Sequence, residues 1–197
     1  MKVLVACEYS GTVRDAFIRR GHDAVSCDII DTESQGPHIK GDAIEAAYSG
    51  SWDMMVAHPP CTYLSYAGMR HWNNPGREAE RQRAMIFFKT LMDAPIEKIC
   101  VENPMGEPCK HFKNYQTVNP FDFGEPVRKR TLLWLKNLPP LMFSAQASVR
   151  PVYVDAGGKA RHYTEAMRGC SGGKEGRRKA RAKFFISIAE AMATQWG

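Results

Sequence analysis

The sequence has no long apolar run and no regular cysteine spacing. No stretch approaches the roughly 20 apolar residues that a helix needs to cross a bilayer. Met1 to Cys7 enters an apolar run directly, without the charged segment, longer apolar core and cleavage site of a signal peptide. The six cysteines lack pair spacing, which is typical of reduced thiols inside the cell. We therefore expect a cytoplasmic protein that does not associate with a membrane.

Acidic residues are outnumbered by basic ones, and the chain is too short for a second large domain. There are 21 Asp and Glu against 27 Lys and Arg, which gives a net charge of +6 and a pI near 9.0. The 197 residues, 44% of them hydrophobic, predict one domain over residues 1–197 with a sizeable core. The charge favours a polyanionic partner such as DNA or RNA, although many basic proteins bind neither.

Short apolar runs alternate with helical patterns through the first two thirds of the chain. The predicted strands are Lys2–Cys7, Ala24–Cys27, Met54–Ala57, Lys98–Val101 and Thr131–Leu135; the predicted helices are Thr12–Arg20, Asp42–Tyr48, a run between Pro75 and Pro95, and Lys179–Gln195. This alternation predicts an α/β fold, an open and mostly parallel Rossmann-like sheet with helices on both faces. Residues 136–176 are rich in Pro, Gly and Ser and predict loops, with room for a hairpin, on the functional side.

The most informative segment is His58-Pro59-Pro60-Cys61-Thr62, directly after the Met54–Ala57 strand. Ligands of open α/β sheets bind beyond the carboxyl ends of strands, so a cysteine there faces a crevice. The prolines fix the backbone before the thiol. A packed, inert cysteine behind a proline turn is the alternative for this motif taken alone.

Two further elements mark the same edge of the predicted sheet. Glu102, in Val101-Glu102-Asn103-Pro104, follows the Lys98–Val101 strand and would pair an acid with the Cys61 nucleophile. Arg128 and Arg130 precede the Thr131–Leu135 strand, where alternation would send both to one side. Together these elements favour an active site over a solvated loop.

Pro-Pro-Cys, Glu-Asn and Arg-x-Arg, in this order and each at a strand boundary, resemble the catalytic motifs of the DNA cytosine-5 methyltransferases. The match is closest to small stand-alone members of phage and prophage genomes and covers about Met1 to Leu135. The resemblance implies methylation of DNA, as in restriction-modification, with Cys61 as the nucleophile. Glu102 would hydrogen-bond cytosine N3 and its amino group as a protonated general acid, and Arg128 and Arg130 would support the base and the active-site loop.

The cofactor site is expected at the first βα unit, and the resemblance selects S-adenosylmethionine, without a metal. The turn Cys7-Glu8-Tyr9-Ser10-Gly11 lies where a helix N-terminus usually meets a cofactor carboxylate or phosphate. Asp28 is placed to bind ribose hydroxyls. The remaining predicted cofactor residues are Ile29, Asp42, Ala43 and Pro59, of which Asp42 resembles the acid that meets the adenine amino group.

The sequence departs from the family at several points. Glu8 stands where a glycine is usual, the glutamine before the arginine pair is missing, and His58 is an unusual residue before Pro-Pro-Cys. No separate target-recognition domain fits after Leu135. Sequence specificity would therefore be weak, short, or supplied by residues 136–176 and a partner protein, while the basic cluster from Lys174 to Lys183 would meet phosphates.

Three alternatives remain open. The same chemistry could act on RNA or a free pyrimidine nucleotide, with a base stacked on the aromatic residues Tyr63, Tyr66, His71 and Trp72. A non-catalytic nucleic-acid binder could retain the scaffold, although it would have no use for Cys61 and Glu102. A zinc site at Cys100, Cys109 and His111 matches no usual ligand spacing.

Overall fold

The computed structural model describes residues 1–125, 129–144, 153–154, 157–158, 160–161 and 183–197. The strands are β1 Lys2–Ala6, β2 Asp23–Asp28, β3 His38–Lys40, β4 Met54–Ala57, β5 Lys98–Asn103, β6 Gln116–Val118, β7 Thr131–Lys136, β8 Tyr153–Val154 and β9 Ala160–Arg161. The helices are α1 Thr12–Arg19, α2 Ala43–Ser49, α3 Arg77–Met92, α4 Pro108–His111 and α5 Ile186–Gln195, with short 3-10 helices at Tyr66–His71 and Pro120–Asp122. Among the described helices, none is long and apolar enough to span a membrane.

The described residues contain one seven-stranded sheet and a separate pair, β8 with β9. The large sheet has the order β3-β2-β1-β4-β5-β7-β6. Its first five strands are parallel, whereas β7 runs antiparallel to β5 and β6. The predicted open, mostly parallel Rossmann-like sheet is confirmed. Because β1 pairs with β2 on one side and with β4 on the other, the strand order reverses between β1 and β4, where such sheets bind their ligands.

Alternate residues of the central strands supply two cores, one on each face of the sheet. On one face, Val3 and Val56 pack with Phe17 of α1 and Met192 of α5. On the other face, Leu4 and Met55 pack with Ala46 of α2 and with Phe88 and Leu91 of α3. The prediction of helices on both faces of the sheet is therefore confirmed. The two cores lie on the faces, so the ends of the strands can carry a functional site.

The structure corrects several predicted boundaries. The last helix begins at Ile186 rather than Lys179, because Phe185 has an extended backbone and lies before the first turn. The short strands β3 and β6 were not predicted, since each has only three residues and depends on a distant partner. Strand β5 continues to Asn103, so Glu102 belongs to the strand itself. Residues 179–182 and Cys170 lie outside the described residues.

Candidate active site

The segment after β4 is anchored to both neighbouring strands. The His58 N–H donates to the Ala6 carbonyl at the end of β1, at 2.9 Å. On the other side, the buried Asn103 donates through Nδ2 to the Pro59 carbonyl, at 2.7 Å. Pro59 is itself buried. The segment that carries Cys61 is therefore held across the carboxyl ends of β1, β4 and β5, where the sequence placed it.

Cys61 is the exposed thiol of this edge. Its carbonyl accepts hydrogen bonds from the Leu64 and Ser65 N–H groups at 3.1 and 2.9 Å, which closes a turn directly after the prolines. Of the five cysteines in the described residues, Cys61 alone is exposed. Burial raises the pKa of Cys27 to about 11 and raises the pKa of Cys100 well above the usual thiol range. Those buried thiols stay protonated, so Cys61 is the thiol suited to nucleophilic chemistry.

Glu102 is held by two side chains at the end of β5. His58 Nδ1 lies 3.2 Å from one carboxylate oxygen, and the Thr131 hydroxyl donates to the other. Burial raises the pKa of Glu102, but the His58 hydrogen bond and charge, the Lys129 charge and the Thr131 bond outweigh it. The net result is a lowered pKa. This lowered pKa favours the carboxylate form of Glu102, and its role as a general acid toward N3 stays a prediction.

Of the predicted arginine pair, the structure describes one member. Arg128 lies outside the described residues. Arg130 is exposed, and its Nη2 contacts Met105 Sδ at 3.8 Å. Lys129 and Thr131 alternate with the two arginines along the chain. Both lower the pKa of Glu102. The roles of Arg128 and Arg130 stay predictions.

His58, Lys129 and Thr131 are site residues that the sequence analysis missed. Strands β5 and β7 are antiparallel, with Glu102 opposite Leu133. Thr131 is two residues from Leu133, so it shares the face of Glu102. That register depends on β7 running antiparallel, which the sequence did not reveal. For His58, the available signal was its place one residue beyond a buried strand.

On the cofactor side, Glu8 caps the first helix. It is 4% exposed, and its two carboxylate oxygens accept from the Val13 and Arg14 N–H groups at 2.7 and 3.2 Å. Ser10 also donates to it at 3.3 Å. Burial raises the pKa of Glu8 despite the opposing effects of His58, these backbone bonds and Arg14. The amides at the start of α1 therefore have an internal partner already.

The rest of the first turn is compact. Cys7 has a left-handed backbone with φ 58°, and Gly11, with φ 74°, lies directly before α1. A side chain at Gly11 would collide with the Arg14 guanidinium. Tyr9 is buried, and its carbonyl accepts from the Glu33 N–H at 2.9 Å. These contacts fix the turn next to β1.

The fully buried Arg14 ties the segment after β2 to this turn. Its guanidinium donates to Asp15 at 2.7 Å, to Ser26 at 3.1 Å and to the Gln35 carbonyl at 3.2 Å. A side chain at Gly36 would collide with the same guanidinium. The loop that borders the predicted cofactor site is thus held by a buried charge that the sequence analysis did not identify.

Asp28 and Asp42 end up at the same edge, as predicted. Asp28 accepts from the Ile30 N–H at 3.2 Å, and Asp42 caps α2 through the Ile44 and Glu45 N–H groups at 2.6 and 3.2 Å. Burial raises the pKa of Cys7 most, and the charges of Asp28 and Asp42 raise it further. Both carboxylates therefore lie near that thiol. Ala43 is buried, whereas the Ile29 side chain is 75% exposed. An exposed aliphatic side chain beside a carboxylate fits an adenosine group.

The aromatic residues after Cys61 pack against one another and against arginines. Arg77 lies over the Tyr63 ring at 4.4 Å, and Arg81 lies over the Trp72 ring at 4.6 Å. Tyr66 and Trp72 have ring centroids 5.7 Å apart. His71 is exposed and contacts Arg70. These contacts order the loop, and base stacking on it stays a prediction.

Comparisons with known proteins gave no family and no curated relative: no family model matches the chain, and neither does any curated protein. A prophage-encoded protein of E. coli named as a DNA modification methyltransferase aligns with 68% of this chain and 46% of its own, at 16% identity and a TM-score of 0.46. The Entamoeba histolytica methyltransferase EhMeth aligns with 76% of this chain and 57% of its own, at 16% identity and a TM-score of 0.49. The chain thus spans about half the length of these proteins.

Proposed function

We propose that this protein transfers a methyl group from S-adenosylmethionine to carbon 5 of cytosine in DNA, through a covalent bond between Cys61 and the base. The observation that carries the proposal is the anchoring of the 58–61 segment. The Asn103–Pro59 and His58–Glu102 hydrogen bonds hold an exposed thiol and a carboxyl group at one edge of the sheet. A nucleophile and an acid–base group facing one pocket are what this chemistry requires.

The charge of the cofactor edge favours a cation over a phosphate. A phosphate would bind the N-terminal amides of α1, but Glu8 already accepts from Val13 and Arg14 there. Asp28 and Asp42 add further acidic groups. S-adenosylmethionine carries a sulfonium, an ammonium and ribose hydroxyls and no phosphate, so these residues fit it. When bound, it would supply an electrophilic methyl group.

The proposed reaction begins with addition of the Cys61 thiolate to carbon 6 of cytosine. The Sγ–C6 bond forms, the electrons of the C5–C6 double bond move toward N3, and N3 takes a proton from Glu102. Carbon 5 is then nucleophilic enough to accept the methyl group. Water, acting as a base, takes the carbon-5 proton; the electrons of that C–H bond form the C5–C6 double bond, and the Sγ–C6 bond breaks to release the thiolate.

The lowered pKa of Glu102 adds a step to this sequence. A carboxylate facing the N3 lone pair would bring two acceptors together. We therefore expect Glu102 to take up one proton as the base binds. That proton is the one N3 receives when the thiolate adds, and it returns to Glu102 at the end.

DNA is proposed as the substrate because of the net charge of +6 and the exposed Arg130 directly before β7. The cluster from Lys174 to Lys183 lies outside the described residues except for Lys183, which pairs with Glu33 at 2.6 Å. Its contact with phosphates stays a prediction. A DNA complex held by these groups would weaken steeply with added salt, since each neutralised phosphate releases a counterion. A recognition partner remains part of the proposal.

The test is methyl transfer from radiolabelled S-adenosylmethionine to separate pools of DNA, RNA and free nucleotides. We expect label in DNA, recovered as 5-methylcytosine after digestion. Cys61→Ser should lose the activity, while Cys109→Ser, which changes a thiol on α4, should keep it. Label in RNA or nucleotides alone would contradict the DNA assignment, and label on an exocyclic amine would contradict the carbon-5 reaction.

A further inference from the structure

His58 lies at the centre of the proposed site, although the proposed reaction does not use it. It follows β4, the middle strand of the β1-β4-β5 group, and its N–H bonds to Ala6 of β1. Its side chain turns to the other neighbour, with Nδ1 3.2 Å from Glu102 Oε2. The side chain is only 10% exposed. His58 thus connects β1 with Glu102, the proposed acid–base group.

The state of Glu102 determines which ring nitrogen of His58 carries a proton. An ionised carboxylate can only accept hydrogen bonds, so the bond at 3.2 Å requires a hydrogen on Nδ1. Nε2 is buried and has no hydrogen-bond partner within the described part of the chain. The geometry therefore places a hydrogen on Nδ1, facing Glu102.

Groups from three sides fix the ring in this place. The Phe184 ring, just before α5, packs on it with centroids 4.6 Å apart. Glu8, from the turn after β1, is close enough for His58 to affect its pKa. Glu102 faces it from β5, and Lys129 acts on the same carboxylate. A ring clamped between an aromatic side chain and a carboxylate is suited to hold that carboxylate in one orientation.

We propose that His58 is a positioning residue, whose Nδ1–H holds Glu102 in the orientation from which it meets the pyrimidine. The inference rests on the proposed function, because Glu102 is assigned there to the base. Thr131 holds the second oxygen. Together the two donors leave the carboxylate little freedom to rotate, so it is preorganised before the base arrives.

The first test needs no substrate. Nitrogen-15 NMR of the His58 ring should show a hydrogen on Nδ1. In His58→Leu, carbon-13 NMR should show a higher pKa for Glu102, because the hydrogen bond and the charge of His58 both lower it. His111→Leu, at an exposed position on α4, is the control and should leave Glu102 unchanged. A proton on Nε2 alone, or an unchanged Glu102 titration in a folded His58→Leu, would overturn the inference.

The second test separates positioning from a general structural role. His58→Leu should lower kcat by about 10- to 100-fold, the usual effect of losing a residue that orients a functional group, with little change in KM. His58→Asn should restore most of kcat, because its amide nitrogen takes the place of Nδ1. Full activity in His58→Leu would overturn the inference, and so would an Asn variant as slow as the Leu variant. If the parent methylates nothing, the proposed function fails, and the NMR test decides the inference alone.

Discussion

The buried Glu8 and the half-buried Glu102 lie at the carboxyl edge of the same sheet, yet they have opposite properties. Glu8 accepts hydrogen bonds from backbone N–H groups of α1, and its pKa is raised by burial. Glu102 is bonded by the side chains of His58 and Thr131, and its pKa is lowered. Carboxyl groups whose pKa values are pushed apart serve different purposes. The first stabilises a turn, and the second is available for chemistry.

Removing the charge of each glutamate gives the largest expected contrast. Glu102→Gln should lower kcat for methyl transfer by roughly 10²-fold, the usual cost of a lost acid–base group. Glu8→Gln should lower it far less, because Glu8 faces the helix amides. Steady-state kinetics on DNA would measure both. Equal losses of kcat in the two variants would contradict the distinction between Glu102 and Glu8.

The cofactor edge offers the next contrast. Asp28→Ala should weaken S-adenosylmethionine binding by about 1 to 3 kcal/mol, if Asp28 accepts charge-assisted bonds from the ribose. Asp31→Ala removes an exposed carboxylate that pairs with Lys40 at 2.8 Å, and it should leave the affinity unchanged. Calorimetric titration would compare them. Equal affinity in the parent and Asp28→Ala would remove Asp28 from the site.

The smallest expected effects are in stability against pH. A lowered pKa means that Glu102 stabilises the fold at neutral pH, and that this contribution is lost as pH falls through its folded pKa. The raised pKa of Glu8 has the opposite effect on stability. Its contribution to the stability of the fold is present at low pH and is lost as pH rises through its folded pKa.

Urea unfolding over a range of pH would measure this difference. As pH falls, the free energy of unfolding of the parent should decrease relative to that of Glu102→Gln, by about 1 kcal/mol. Relative to that of Glu8→Gln, it should increase. The same trend for both variants would contradict the assigned pKa directions.

The sequence predicted which residues lie at the carboxyl edge of the sheet better than it predicted the contacts between them. Cys61 follows β4, and Glu102 lies near the carboxyl end of the adjacent parallel strand β5, so their shared edge follows from strand order alone. The folding of Glu8 onto α1 depends on the left-handed turn at Gly11, and the contact of Thr131 with Glu102 depends on the antiparallel register of β7. Neither leaves a periodic pattern in the sequence.

The central claim is that Cys61 bonds covalently to cytosine, and a DNA substrate with 5-fluorocytosine tests it most directly. Fluorine cannot leave carbon 5 as a proton leaves, so the enzyme should remain attached after methyl transfer. We expect an adduct that survives denaturing electrophoresis, requires S-adenosylmethionine and is absent in Cys61→Ser, whose hydroxyl is a far weaker nucleophile. Methylation by Cys61→Ser at the rate of the parent, or no adduct with an active parent, would contradict the account.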